Sequence, residues 1–433
     1  MRNEMNVSIK WKSNKKPPEK VLQSFFDMAK EENESVVFYS NTFELIPKHY
    51  IRDCLEFSPD RLDEYDKDEL IIKTIIHCFL KKCLKPSDFI DQINKEVRKI
   101  YRKYEEKHVL TSISILKLPF KEIKIFESIV KFYKRIPQKF VSRIEILKKL
   151  GSDGGEGKNY YKCMISTKTY SNELTVHLNN LNIFRALISF NNNYSSQYFM
   201  GGGIRKTPIN RVCLGLYHTL HKSDGKILGH SVGYELKFIE LPTIEIKQSK
   251  RSFSKILSKI ESSPYSEKLK TSLLLYVKAL DDYDADIALV LLWNALDTLT
   301  NEDTGNYDNV IDRTKIVLGN NFHHHEAITA IKNVRNNYVH KMIHNKNART
   351  YCYELQNYFK HIFLFHLYHL SHLNSMTDAL TTIDYIGKLS NNYIHHNNMI
   401  KTAKLLHKKI KADEESMRPT NYFKGGIKHS KEQ

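Results

Sequence analysis

The chain has 433 residues and carries 67 Lys and Arg against 49 Asp and Glu, for a formal charge of +18 and a pI near 9.3. This length exceeds one typical domain, and the positive surplus favours an anionic partner. No run of eighteen apolar residues occurs and the first twenty residues are too polar for a signal peptide, so we expect no membrane association and a cytoplasmic location. The six cysteines contain no CxxC pair, which argues against a disulfide framework and favours reduced, packed thiols.

The basic excess is concentrated in the first part of the chain. Residues 251–433 contain 24 basic and 19 acidic side chains, a net +5, which leaves +13 for residues 1–250. If the protein holds a polyanion, the N-terminal region is expected to share in the contact. A solvated, Lys-rich surface is the other interpretation of the same excess.

Residues 1–250 are predicted to form an α+β region, which we interpret as a sensor or regulatory part that contributes basic contacts to RNA. Short apolar or alternating runs predict strands at Val36–Tyr39, Val109–Leu118 and Tyr160–Thr167. Helical spacing predicts helices at 66–84, 89–104 and 172–190. The Asp-Gly pair within 223–226 predicts the turn of a hairpin between Val212–His221 and Ile227–Leu241.

Two glycine-rich segments, 151–159 and 201–203, interrupt this region. A phosphate-binding loop needs a Gly five residues before its Gly-Lys pair and a Ser or Thr after that pair. Here Gly157-Lys158 has Ser152 and Asn159 at those positions. The pattern fails at both ends, so we predict a flexible surface loop and no nucleotide cofactor.

Residues 251–417 are predicted to be all α-helical, and residues 418–433 form a basic stretch that we expect to be a mobile tail. The predicted helices are Glu267–Leu280, Asp284–Thr300, Asn309–Leu318, Glu326–His344, Ala348–Leu373 and Met376–Ala412. The predicted fold is therefore an α+β N-terminal region followed by an all-α helical bundle.

The helix predicted at 284–300 is apolar nearly all round, which indicates burial, and it carries Asp297 in its second half. A buried carboxylate needs a partner, and Arg335 is the candidate. One interpretation is a plain ion pair that joins two helices. The other is that the pair orients Arg335 or His340 at a phosphate.

The sequence Arg335-Asn336-Asn337-Tyr338-Val339-His340 combines a fixed cation, an amide and a titratable imidazole, the groups that can cut RNA without a metal. On an ideal helix Asn336 and His340 share one face, while Arg335 lies about 140° away from His340. One copy therefore looks incomplete, and a two-fold dimer could bring two such helices to one phosphate. His344, predicted one turn further on, is interpreted as a surface residue.

This Arg-Asn-x-x-x-His string, after a helix that contains Leu292-Trp293-Asn294-Ala295-Leu296-Asp297, resembles the HEPN superfamily, in particular its Apea-like branch in bacterial antiviral defence. Arg335 and His340 match the Arg-x4-6-His motif, and Asp297 falls where that branch carries an acidic residue, commonly Glu. The resemblance covers residues 285–365. Weaker similarity to the region before the HEPN domain lies at 111–115, 117–137 and 223–225.

The resemblance implies a HEPN-like bundle and a metal-independent ribonuclease that acts as a homodimer and stops translation by cutting tRNA or other RNA during infection. His340 would move protons, Arg335 would stabilise phosphoryl charge, Asn336 would orient the phosphate or the imidazole, and Asp297 would hold the arginine or fix the tautomer. The N-terminal region would sense a trigger encoded by the phage. The candidate RNA-binding residues are Lys332, Lys341 and Arg349.

Two other functions remain open. The 20 histidines cluster at 323–325, 340 and 344, 366–372 and 395–396, yet the pair at 340 and 344 lacks the Glu of a HExxH helix, so we predict no functional metal. The second alternative is a non-catalytic HEPN-type module that binds RNA or a protein and uses the Arg-Asn-His string structurally.

Overall fold

The structure of the protein is a computed structural model. The described residues are 8–13, 19–27, 29–32, 35–38, 49–58, 64–82, 85–102, 105–149, 161–169, 174–196, 209–215, 217–232, 244–302, 307–319, 321–391 and the isolated positions 401, 404, 405 and 408. Several predicted features lie outside the described residues. They are the glycine-rich segments at 151–159 and 201–203, the second half of the strand predicted to 241, the histidines at 395–396, the helix predicted beyond 391 apart from those isolated positions, and the predicted tail at 418–433.

A small N-terminal unit has a core of its own. Its strands are β1 Ser8–Trp11, β2 Ala29–Glu32, β3 Ser35–Phe38 and β4 Leu55–Ser58. Its helices are α1 Glu19–Asp27, α2 49–54, α3 Glu64–Leu80 and α4 Pro86–Arg102. Strand β1 pairs antiparallel with β4, and β2 with β3. Apolar side chains at Ile71, Ile75 and Ile93 are fully or almost fully buried where α3 meets α4, which explains the helical spacing seen in the sequence.

The main sheet has six strands in the order β11-β10-β5-β9-β8-β7, and every neighbouring pair is antiparallel. Its strands are β5 Glu105–Ile113, β7 Glu122–Ile125, β8 Ser128–Tyr133, β9 Tyr161–Thr169, β10 Tyr217–Lys222 and β11 Ile227–Val232. The hairpin between β10 and β11 is confirmed. Its turn glycine, Gly225, has φ of 91°, and a Cβ there would lie 2.2 Å from the carbonyl oxygen of Lys139, so glycine is required at this turn.

The prediction of a single strand at 109–118 is wrong in one respect, because the chain changes its strand-pairing partners at Ser114. Strand β5 ends at Ile113, and the short β6 Ile115–Lys117 pairs in parallel with β12 Ile244–Glu245. The Ser114 hydroxyl donates to the Arg211 carbonyl and accepts from the Cys213 amide, at 2.9 and 2.8 Å. These bonds replace the ladder that a continuous strand would have had, which alternation alone cannot reveal.

Helix α6 Leu174–Asn192 covers one face of the main sheet, and helix α5 Val141–Lys149 with the short 3₁₀ turn Gln138–Phe140 lies against the other. Arg143 of α5 is fully buried, and its guanidinium donates to the carbonyl oxygens of Leu110 and Tyr217, both at 3.0 Å. The fold class is therefore mixed α and β, with a sizeable antiparallel sheet, as predicted at that level.

The C-terminal part is helical, as the periodicity predicts. Its helices are α7 Lys250–Ser262, α8 Ser266–Asp281, α9 Ala285–Thr300, α10 Tyr307–Val317, α11 Phe322–Lys341, α12 Ala348–Phe365 and α13 Met376–Asn391. One apolar cluster runs without a break from the sheet through α6 into these helices. Arg185 of α6 also binds Asp281 of α8 at 2.7 Å, so packing crosses position 250 directly, and the division predicted there stays a prediction.

Two predicted helix ends are wrong. Helix α11 stops at Lys341 because Met342 takes the left-handed conformation with φ of 52°, so His344 lies in the following loop. Helix α12 ends at Phe365 and continues as a π-helical turn, His366–Leu370, in place of regular helix to Leu373. Cys54, Cys78, Cys213 and Cys352 are buried, as predicted for packed thiols.

Candidate functional site

The candidate site is built around Arg335, which extends the buried stripe of α11. Ile328, Ile331 and Arg335 are the buried residues of this helix, at spacings of three and four that place them on one face. Arg335 is therefore held against α9 and α10 by the same pattern that buries the two isoleucines. Only 8% of its surface is exposed.

The Arg335 guanidinium is held by an aromatic ring and an amide. Its central carbon lies 4.8 Å from the centroid of the Tyr307 ring, and Nη1 donates to Oδ1 of Asn336 at 3.0 Å. The Tyr307 ring in turn contacts the buried indole of Trp293, with ring centroids 6.0 Å apart. Arg335 Nε has no hydrogen-bond partner among the described residues. The side chain is thus positioned with donor capacity to spare.

The predicted ion pair between Asp297 and Arg335 is wrong as a direct contact. Within the part of the chain that is described, the Asp297 carboxylate is bound by Nδ2 of Asn301 at 2.6 Å, and no Arg335 nitrogen lies within ion-pairing distance of it. Burial raises the pKa of Asp297, while the Asn301 hydrogen bond and the more distant charge of Arg335 oppose that shift. Asp297 is buried as predicted, and its influence on Arg335 acts through space.

His340 lies on the other side of α11. It is exposed, as is the neighbouring Val339, which is 40% exposed. Asn336 is half-buried between the face of Arg335 and that of His340. One chain therefore brings Arg335 and Asn336 into contact, and it leaves His340 apart from Arg335 at the solvent-facing end of the helix.

The loop after α11 is tied back to the start of α9. Nδ1 of His344 lies 2.9 Å from Oδ2 of the buried Asp286, and the backbone amide of Asn345 donates to Oδ1 at 3.2 Å. The His344 ring also packs on Tyr338, with centroids 5.3 Å apart. These contacts fix the end of the helix that carries His340.

Asp284, Asp286 and His344 are the described residues whose ligand atoms are close enough to hold a metal ion, all within 4.8 Å of one another. The Asp284 carboxylate already caps α9 by accepting from the amides of Asp286 and Ile287. Both oxygens of Asp286 are engaged by His344 and Asn345. The carboxylates of Asp284 and Asp286 and the His344 ring thus already have hydrogen-bond partners, and these bonds anchor the start of α9. His340 and His344 do not form a helical ligand pair, because His344 lies beyond the helix.

The three predicted RNA-binding residues differ in their surroundings. Lys332 Nζ is bound to the Asp308 carboxylate at 2.8 Å, and this contact lowers the pKa of Asp308. Arg349 lies against Tyr353, with Nη2 3.4 Å from its hydroxyl. Lys341 is exposed beside His340. Of the three, Lys341 has the position most open to a phosphate.

The other described histidines are mostly engaged in packing or local hydrogen bonds. His366 is fully buried, lies 3.4 Å from the Tyr265 hydroxyl, and has its pKa lowered to about 4 by burial. His324 contacts the Tyr358 hydroxyl at 3.2 Å, and His325 the Glu326 carboxylate at 3.1 Å. His369 and His372, which belong to the same cluster as His366, are exposed.

Three residues of this site were not found from the sequence: Tyr307, Asn301 and Asp286. Asn301 stands four residues after Asp297, a spacing that places the two side chains one turn apart and could have indicated the contact. Tyr307 and Asp286 act across tertiary contacts that no local spacing encodes.

No family model, curated protein or solved structure matches this chain. Among the described residues, no helix combines the length and the apolar character needed to cross a membrane. The class that the fold defines is thus a mixed α and β protein, and the function is argued from the site.

Proposed function

We propose that this protein is a metal-independent endoribonuclease of the HEPN type that cleaves RNA, with tRNA as the expected substrate, and acts in antiphage defence by stopping translation. The observation that carries the proposal is the state of Arg335. A largely buried guanidinium that stacks on Tyr307, with no directly bound carboxylate among the described residues, can stabilise the negative charge of a phosphoryl group.

The chemistry follows from the two side chains. The 2′-hydroxyl of the RNA attacks the adjacent phosphorus, forming a 2′-O–P bond while the P–5′-O bond breaks. His340 takes the proton of the 2′-hydroxyl, and the 5′-oxygen leaves with a proton delivered by a second imidazole or water. Arg335 stabilises the charge on the non-bridging oxygens. The products are a 2′,3′-cyclic phosphate and a 5′-hydroxyl, with no oxidation or reduction.

Separation of Arg335 and His340 within one chain supports a homodimer. A two-fold arrangement of α11 from each copy would let His340 of one protomer face Arg335 of its partner. Val339, Met342 and Ile343 are 40%, 66% and 53% exposed around His340, which provides apolar surface for such a contact. The dimer is therefore part of the proposal.

The test is incubation of the purified protein with total tRNA in excess EDTA, alongside Arg335→Ala and His340→Ala. Matched controls are Arg251→Ala and His361→Ala, which remove the same side-chain types from exposed positions on α7 and α12. We expect cleavage by the wild type and both controls, with losses of at least about 100-fold for the two site variants. Cleavage that EDTA abolishes would contradict the mechanism. Expression in a bacterial host challenged with phage, with growth arrest as the readout, repeats the comparison where a phage-encoded trigger is present.

The alternative is a non-catalytic HEPN-type module that binds RNA or a protein. The packing of Arg335 on Tyr307 favours it, because this stack and the Asn336 hydrogen bond could serve stability alone. In that case growth arrest would survive in His340→Ala. Loss of cleavage and of growth arrest in His340→Ala, with RNA binding retained, supports the ribonuclease.

A further inference from the structure

The face of the main sheet turned away from α6 carries a concentration of cations over β7 and β8. Residues 115–149 hold ten Lys and Arg against three Glu, a net +7 within 35 residues. Three of these cations lie on what we call the cationic face: Lys124 on β7, Lys131 on β8 and Lys139 in the 3₁₀ turn. The exposed Lys134 and Arg135 directly follow β8 and are counted with them, which makes five.

The strand register places the two strand lysines on the side away from α6. Val130 and Phe132 of β8 are buried in the main core, so the alternating residues Ile129, Lys131 and Tyr133 point to the opposite face. On β7, Lys124 pairs with Ile129, which puts it on the same face. The face thus combines cations with an exposed apolar side chain and a half-buried aromatic ring.

Lys139 reaches the same side from a different element. Phe140 packs between the rings of His108 and His221, with centroids 5.4 and 5.1 Å away, which fixes the 3₁₀ turn over β5 and β10. Burial lowers the pKa of His108, the Glu106 carboxylate opposes that shift, and the charges of Lys139 and Lys131 add to it. Two elements therefore direct positive charge to one surface.

These cations are available to a ligand. Across the described residues, no carboxylate lies within ion-pairing distance of any of the five. Two glutamates share this surface. Glu122 is the direct cross-strand neighbour of Lys131 and lies 3.8 Å from Lys250 Nζ, and Glu106 acts electrostatically on His108. The five cations outnumber these carboxylates, and a polyanion relieves the repulsion between like charges on a folded surface.

We propose that the cationic face binds single-stranded RNA through its sugar-phosphate backbone. The five cations provide the phosphate contacts. Ile129, which is 42% exposed, and Tyr133 provide side chains on which bases can pack, and a duplex would hide those base faces. The choice of RNA over other polyanions rests on the proposed ribonuclease function.

The experiment measures binding of a fluorescent 20-nucleotide single-stranded RNA by anisotropy, in EDTA and in the His340→Ala background, from 50 to 300 mM salt. The test variant is Lys124→Gln/Lys131→Gln/Arg135→Gln. The matched control is Lys95→Gln/Lys255→Gln/Lys388→Gln, which removes three charges from exposed positions on α4, α7 and α13. A charge-retaining variant, Lys124→Arg/Lys131→Arg/Arg135→Lys, checks that the surface tolerates substitution.

Loss of three phosphate contacts on a single strand should reduce the log–log salt slope by about 2 and weaken binding about tenfold or more in the test variant alone. The charge-retaining variant should bind like the parent. Equal losses in test and control variants would overturn the proposal. Tighter binding of a duplex of equal length, or lysine-dependent binding to phosphatidylserine vesicles without RNA binding, would also overturn it.

The two proposals fail in distinguishable ways. If RNA binding depends on the cationic face but the wild type never cuts RNA, only the ribonuclease proposal is refuted. If cleavage requires His340 but RNA binding is unchanged in the test variant, only the proposal that the cationic face binds RNA is refuted.

Discussion

Arg335 stacks on Tyr307, with 4.8 Å between the guanidinium carbon and the ring centroid, while its expected partner Asp297 is bound by Asn301. An aromatic ring holds a cation in place without cancelling its charge, unlike a carboxylate at contact distance. This arrangement keeps an arginine both buried and chemically available. It is the basis of the proposed phosphate contact.

Replacing Tyr307 should test whether the stack holds Arg335. We expect Tyr307→Leu to lower the free energy of unfolding by about 1–3 kcal/mol, because it removes both the cation–π contact and the packing against Trp293. Tyr307→Phe keeps the ring and should change it by less than about 1 kcal/mol. Urea unfolding measures both. Equal losses would show that the hydroxyl, and not the ring face, is what matters.

Asp297→Asn distinguishes a distant electrostatic relationship from a buried ion pair. Breaking a direct buried pair costs about 3–5 kcal/mol. Here we expect the variant to be at least as stable as the wild type at pH 7, within about 1 kcal/mol, because the asparagine oxygen can still accept from Asn301.

The contribution of Asp297 to stability changes with pH in a definite direction. Since burial raises the pKa of Asp297 above its ordinary 3.8, the folded state binds the proton more tightly than the unfolded state. Its contribution to stability therefore declines as pH rises from 3.8 through the higher folded value. The free energy of unfolding of Asp297→Asn, relative to that of the wild type, should therefore rise over the same pH interval. A relative free energy that falls there would contradict a raised pKa for Asp297.

The contacts between α9 and the loop after α11 predict that Asp286→Ala destabilises the protein more than His344→Ala does. Asp286 is buried and accepts from both His344 and the Asn345 amide, so Asp286→Ala should cost about 1–3 kcal/mol. His344 has a side chain that is 67% exposed, so His344→Ala should cost less than about 1 kcal/mol. Chemical unfolding of both variants checks the order, and a larger loss for His344→Ala would refute it.

His218 in the sheet should make the protein sensitive to acid. Burial lowers its pKa to about 3, so the unfolded state, with a pKa near 6.5, binds the proton more readily. Stability from this group is complete above pH 6.5 and is lost as pH falls toward 3, at up to about 1.4 kcal/mol per pH unit. His218→Gln should flatten the slope of unfolding free energy between pH 6.5 and 4.5. An unchanged slope would assign the acid sensitivity to other groups such as His366.

Local patterns were enough to predict the hairpin at Gly225 and the buried helix with Asp297, because a turn signal and an all-round apolar helix are both short-range features. The break at Ser114 and the end of α11 at Met342 could not be predicted this way. The break depends on bonds to the distant residues Arg211 and Cys213. The helix end depends on a left-handed conformation at Met342, which is not a glycine and so gives no stop signal in the sequence. The same limit applies to the site. Arg335 was found from its motif, whereas its contact with Tyr307 is tertiary.

The proposed 2′-hydroxyl attack is tested most directly by the ends of the RNA fragments. A tRNA-derived oligonucleotide is incubated with the protein in excess EDTA, in parallel with a copy that carries one 2′-deoxy sugar at the cleavage position. The mechanism predicts fragments that end in 2′,3′-cyclic phosphate from the first substrate, none from the second, and none from His340→Ala with either. Cleavage of the 2′-deoxy substrate, or fragments with 3′-hydroxyl ends, would contradict it.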